Sequence, residues 1–154
     1  MQGTNVQYAG FWMRFVAYLI DGLLLGFVNF IILIPFLGMI GLSSAMDDPE
    51  AAEGMMIAAI GTYVFSIVVM LIAGWLYFAL MESSNKGATL GKIALSIKVT
   101  DMSGGKISFG QATGRYFGKI VSGLILYIGF IMAGFTEKKQ ALHDMMAGCL
   151  VVRK

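Results

Sequence analysis

The sequence predicts an all-α membrane protein: a small helical transmembrane bundle of two full spans and a third apolar segment, re-entrant or hairpin, with a small cytoplasmic β-hairpin or sheet. Three observations predict it. Of the 154 residues, 58% are hydrophobic and only 13% charged, against roughly 25% charged in an ordinary soluble domain. Two stretches, Phe15 to Leu42 and Met55 to Met81, carry a single charge between them, Asp21, and each exceeds the ~20 residues that cross ~30 Å of hydrocarbon. After the second stretch, "LSIKVTD" alternates apolar and polar residues with the two-residue period of a half-buried strand.

The elements follow in order within one domain, 1–154. The first span covers about 15–41, with Pro35 late in it as a kink or a stop. "SSAMDDPEAAEG" is a polar loop holding Asp47, Asp48, Glu50 and Glu53 and no base. The second span covers about 55–81. A β-hairpin is expected over about 93–109, "MSGG" supplying its turn. "SFGQ" is a capping-box pattern opening an amphipathic helix of about 109–119, which carries aromatics on one side, Arg115 and Lys119 on another, and suits the membrane interface. Residues 120–135 are apolar but rise only about 24 Å as a helix, so a re-entrant hairpin is preferred to a third crossing. A tail strand, 149–153, is expected to add a third strand to the hairpin.

Ten of the eleven lysines and arginines follow the second span. Because such bases are retained on the cytoplasmic side, the N-terminus and residues 82–119 are expected inside and the acidic loop outside. The first apolar run is too long for a cleavable signal and is read as retained.

Several functions are excluded. The net charge of +2 is small and its bases are scattered, so nucleic acid is not a partner. "GATLGK" has one residue too few for a phosphate loop and lacks its Ser/Thr. His143, Asp144 and the lone Cys149 make a poor metal set, and a single histidine offers no oriented base for a nucleophile. The chain is therefore read as no enzyme, with no cofactor.

The informative charges lie in "FWMRFVAYLIDGLLLGF". Arg14 and Asp21 stand seven positions apart, within roughly 20° of each other on one helix face and ~10 Å apart along the axis. A carboxylate inside a bilayer costs ~2.5–3.5 kcal/mol on insertion scales and usually faces a partner in the bundle. Asp21 is thus either a proton or cation site or a hydrogen-bonded structural anchor. Gly22 with Gly26, and Gly114 with Gly118, form GxxxG pairs that permit close helix approach.

Taken together, "YAGFWMRFVAYLID", "ESSNKGATLGKIALSIKVTDMSGGKIS", "ATGRYFGK" and "KKQALHDMMAGCLVV" resemble, in order and spacing, the RDD family of small membrane proteins. Met13 departs from the polar or charged residue common there. The resemblance carries over Arg14, Asp21 and Asp144 as an intramembrane charge or ion site, with Glu82, Gly91, Lys92, Arg115 and His143 as supporting positions, and a bacterial inner (plasma) membrane as location. It implies either a cation/proton exchanger handling a monovalent cation or a non-catalytic scaffold or assembly subunit in the lipid bilayer, as a homo-oligomer or with a membrane protein partner. Asp144 is expected near Arg14, whose planar fork can grip a carboxylate at two points.

Overall fold

Two apolar runs without competing turn residues become the two longest helices, α1 (Phe11–Ser43) and α2 (Pro49–Glu82). The computed structural model describes residues 6–125 and 128–154. α1 and α2 are 33 and 34 residues long and are long and apolar enough to cross a membrane. Pro35 does not end α1, which runs eight residues further. α2 starts on a strong local signal: Pro49 takes the first helical position and the Asp48 carboxylate accepts the Glu50 amide at 3.0 Å, satisfying a donor the helix leaves unpaired.

The chain packs as two compact units, one of Leu23–Gly74 and one made of the described residues up to Gly22 with Trp75–Lys154. In the first, Phe36 stacks on Tyr63 with ring centroids 5.0 Å apart, while Leu23, Phe27, Phe65 and Leu71 are each more than 60% exposed. Large apolar side chains this accessible along the uncharged stretches of two long helices require hydrocarbon around them.

The second unit holds everything else. α3 (Leu90–Ala94) precedes β1 (Ile97–Asp101); α4 (Phe109–Leu124) is followed by α5 (Ile128–Ile131), a 3₁₀ turn over Met132–Gly134, α6 (Leu142–Met146) and β2 (Cys149–Arg153). Its core is built around Ala9, Ala17, Ala79, Ile97, Val99, Ile107, Ala112, Cys149 and Val151. α1, α2 and α4 contribute only alanines, Ala17, Ala79 and Ala112, to this buried set.

The sheet corrects one expectation. β1 pairs antiparallel with the tail strand β2, Ile97 opposite Arg153 through Asp101 opposite Cys149, and no local hairpin over 93–109 forms. The turn itself does form: the Asp101 carboxylate accepts the Ser103 and Gly105 amides at 2.8 and 2.7 Å. The return strand fails because β1's far edge is already used, the Val99 amide donating to the Gly87 carbonyl at 2.7 Å, and Ile107 turns into the core instead. Gly87 has φ +60, and a Cβ there would meet the Val99 carbonyl oxygen at 2.8 Å. The outer place beside β2 goes to the N-terminal segment, where Ala9 donates to Val151 O at 2.8 Å and Arg153 donates to Gln7 O at 2.9 Å.

α4 is capped as its sequence requires, Ser108 and Gln111 bonding reciprocally at 3.1 and 2.9 Å, but it continues through Leu124 rather than ending near 119. Its basic side faces inward: Ala112, Arg115, Gly118 and Ser122 are buried, whereas Phe109, Phe117, Ile120 and Leu124 are exposed. The following segment folds back, since a Cβ on Gly129 would fall 2.8 Å from Ser122 Cβ; seven residues along a straight helix are about 10 Å apart.

Val99 and Val151 face each other as a pair whose backbone bonds go outward, to Gly87 and Ala9, the closer kind of antiparallel pair. Cysteines at both positions, with Cys149 replaced by alanine, are expected to form an intrachain disulfide on mild oxidation, read as a mobility shift reversed by reductant. A local hairpin would leave the two thiols apart.

Candidate functional site

Two polar clusters occupy the second unit, and they divide the charged residues differently from the expected trio. In the first, α1 brings Asp21 to the start of α3. Asp21 is 1% exposed, and its carboxylate accepts three hydrogen bonds: from Tyr77 Oη at 2.8 Å, Thr89 Oγ1 at 2.6 Å and the Gly91 amide at 2.8 Å. Tyr77 Oη in turn accepts the Leu90 amide at 3.1 Å. Thr89 sits at the cap position of α3 but spends its hydroxyl on Asp21; the aspartate from another helix caps α3 in its place. Gly91 makes this approach feasible, because a Cβ there would lie 2.1 Å from the Ala17 carbonyl oxygen.

The second cluster is a chain of ion pairs. Lys92 Nζ donates to Glu82 Oε1 at 2.5 Å, and Lys119 Nζ lies 3.5 Å from the same oxygen. Arg115 Nη1 is 3.2 Å from Glu82 Oε2, and Arg115 Nη2 donates to Asp144 Oδ1 at 2.6 Å. The other Asp144 oxygen takes Arg14 Nη1 and the Ala141 amide at 3.1 Å. Glu82, Arg115 and Asp144 are each no more than 1% exposed. Removing one partner from such a buried network costs about 3–5 kcal/mol, because the other charge is stranded.

Arg14 does meet Asp144, though at one point rather than two. The rest of its guanidinium is given to backbone, Nε to Ala9 O at 2.8 Å and Nη2 to Lys139 O at 2.5 Å. Arg115 supplies the second grip. Asp21 stands apart from both arginines' hydrogen bonds and pairs with neutral donors. Glu82, Lys92 and Arg115 join the Arg14–Asp144 group, Gly91 joins Asp21, and His143 flanks Asp144, with Nε2 3.5 Å from Oδ1 and Nδ1 3.3 Å from Ser122 Oγ. Gly118 packs on His143, a Cβ there falling 3.0 Å from His143 Cβ, while a Cβ on Gly22 or Gly26 would meet nothing within 4 Å.

Sequence reasoning missed Tyr77, Thr89 and Lys119 as members of these clusters. A tyrosine in a charge-free span and a threonine ahead of a short helix carry no periodic signal. Lys119 stands four residues from Arg115, so its proximity was readable; its place over the Phe78 ring, 4.2 Å from the centroid, was not.

Burial sets the titration of the groups outside the long helices. It pushes Lys92 down to about 8 against the pull of Glu82, and drives His143 down to about 3, only partly opposed by Asp144. Burial would raise the Asp144 carboxyl, but Arg115 and Arg14 outweigh it and hold the group below the usual carboxylate range. His143 is therefore neutral near pH 7. Among the described residues no three His, Cys, Asp or Glu side chains gather as a metal site.

With this geometry in place, the RDD family model matches residues 8–148. The chain belongs to the RDD family. It is 39% identical over 148 residues to the uncharacterized protein YxaI of Bacillus subtilis (strain 168), covering 95% of this chain and 97% of that one. It is 32% identical over 155 residues to the uncharacterized membrane protein YteJ of the same organism, covering 96% and 82%. No solved structure matches it significantly. Arg14, Asp21 and Asp144 thus fall into two clusters, Arg14 and Asp144 in one and Asp21 in the other.

Gly91→Ala is expected to lower stability by at least ~1–3 kcal/mol, the usual range for forced overpacking, because both colliding groups are on the backbone; thermal unfolding in detergent reads it. A pH series tests His143. Unfolded, it takes up a proton near pH 6.5, and folded only near 3, so the unfolded state binds more protons in between and stability falls as pH drops through that window. Ser122, Phe130, Asp144, Arg14, Arg115 and Lys119 surround or act on the ring. His143→Gln should flatten the upper part of that decline, above the range where Asp144 also loses its ionised form.

Proposed function

We propose that the protein is a non-catalytic membrane scaffold or assembly module in which Arg14, Asp21 and Asp144 are structural. The observation that carries this reading is the saturation of Asp21 by Tyr77, Thr89 and Gly91. Its oxygens are committed to tying α1 to α2 and α3. A cation site normally gathers several free oxygens, whereas here Arg14, Lys92, Arg115 and Lys119 line the same cavity as Asp21 and repel a cation. The N-terminus lies on the cytoplasmic side of a bacterial inner membrane, as the excess of bases after α2 favours. A partner helix, from a second copy or another membrane protein, packs on the open Gly22/Gly26 face.

The second reading, cation/proton exchange at Asp21, draws on that residue's position in the cavity wall. Purified protein in liposomes, with an internal pH dye and a sodium or potassium pulse, separates the two. The scaffold reading expects no coupled proton movement in wild type or Asp21→Asn, and a loss of ~1.5–3 kcal/mol of stability in the variant, the usual worth of hydrogen bonds to a charged group. Cation-driven proton flux in wild type that disappears in a folded Asp21→Asn would establish the exchanger instead.

A further inference from the structure

The cavity beside the ion-pair network has a volume of about 340 Å³, within the ~300–1,000 Å³ usual for small-molecule sites. Its lining is of two kinds. Four cations, Arg14, Lys92, Arg115 and Lys119, line it, and the rest of its wall is largely apolar, with Phe15, Tyr18 and Ile131 among those side chains. Even counting Asp21, Glu82 and Asp144 together, the four bases meet three carboxylates, and His143 adds no anion. One positive charge is left over in a buried setting, where an uncompensated charge is costly.

Lys119 shows where compensation is weakest. Its Nζ stands 3.5 Å from Glu82 Oε1, an oxygen that Lys92 already takes at 2.5 Å, and its side chain keeps 15% exposure where Arg115 has 2%. An ammonium with spare donors in a cavity wall suits an oxyanion, which takes charge-assisted N–H bonds well.

The apolar wall indicates what that anion is attached to. Phe15, Tyr18 and Ile131 are 47%, 58% and 44% exposed, so the wall runs out onto surface that faces hydrocarbon. The charges sit at the ends of the long helices, Arg14 in the first turn of α1 and Glu82 the last residue of α2. That is the depth of lipid headgroups rather than of the hydrocarbon core.

We propose that this cavity binds the phosphate of an anionic phospholipid, its headgroup against Lys119 and Arg14 and its acyl chains leaving past Phe15 and Ile131. The site stands independently of whether the protein acts as a scaffold or an exchanger. A zwitterionic lipid brings its own cation into a cavity already rich in them and is disfavoured.

The test uses the full chain in mild detergent, titrated separately with phosphatidylglycerol, phosphatidylcholine and glycerol 3-phosphate, and followed by thermal unfolding and native mass spectrometry. Phosphatidylglycerol alone is expected to raise the unfolding temperature and to remain bound. Lys119→Gln should weaken its apparent affinity about tenfold, corresponding to ~1.4 kcal/mol for one lost charge-assisted contact, while leaving the Lys92–Glu82 and Arg115–Asp144 pairs intact. Ile131→Trp, which obstructs the mouth and removes no charge, should weaken it similarly and serves if Lys119→Gln does not fold. Equal effects of the two lipids would overturn the proposal. So would a full shift from glycerol 3-phosphate, which would assign the site to a soluble phosphate, or wild-type lipid binding in folded forms of both variants.

Discussion

The Asp144 carboxylate lies between Arg14 and Arg115 with almost no access to solvent. Three separate parts of the chain, the start of α1, the middle of α4 and the short α6, converge on its two oxygens. An acid so placed is tolerable only while both arginines remain, and each arginine needs further partners to be held: Ala9 and Lys139 carbonyls for Arg14, Glu82 for Arg115. Glu82 in turn draws in Lys92 and Lys119. The whole second unit is organised by the requirement that no member of this chain of charges be left alone.

That requirement explains the reversed polarity of α4. In water an amphipathic helix hides its apolar stripe, whereas beside lipid the favourable arrangement puts Phe117, Ile120 and Leu124 outward and Arg115 inward. Asp21 solves a smaller version of the same problem with neutral donors.

How much of this is legible in the sequence differs element by element. Apolar runs specify α1 and α2 because hydropathy and length are properties of the chain itself. The α4 cap is equally local, Ser108 and Gln111 needing only each other. The meeting of Arg14 with Asp144 is read from the family resemblance, since no local rule links positions 130 residues apart. The hairpin expectation failed where a local turn signal at Asp101–Gly105 competed with a distant strand: "CLVVR" buries four consecutive residues, more than "KISF" can offer. The facing of Arg115 was hidden because periodicity gives a helix two faces without saying which one meets lipid.

The placing of β2 governs the order in which the molecule can be completed. The segment at residues 7–9 and β1 both wait, on opposite edges, for a strand that is synthesised after both of them. Until residues 149–153 leave the ribosome, Ala9 and β1 have no shared neighbour, although both long helices have long since been available for insertion. Membrane integration and closure of the sheet are thus separated in time. A nascent chain halted before residues 149–153 would keep two β-edges open, one on β1 and one on the segment at residues 7–9.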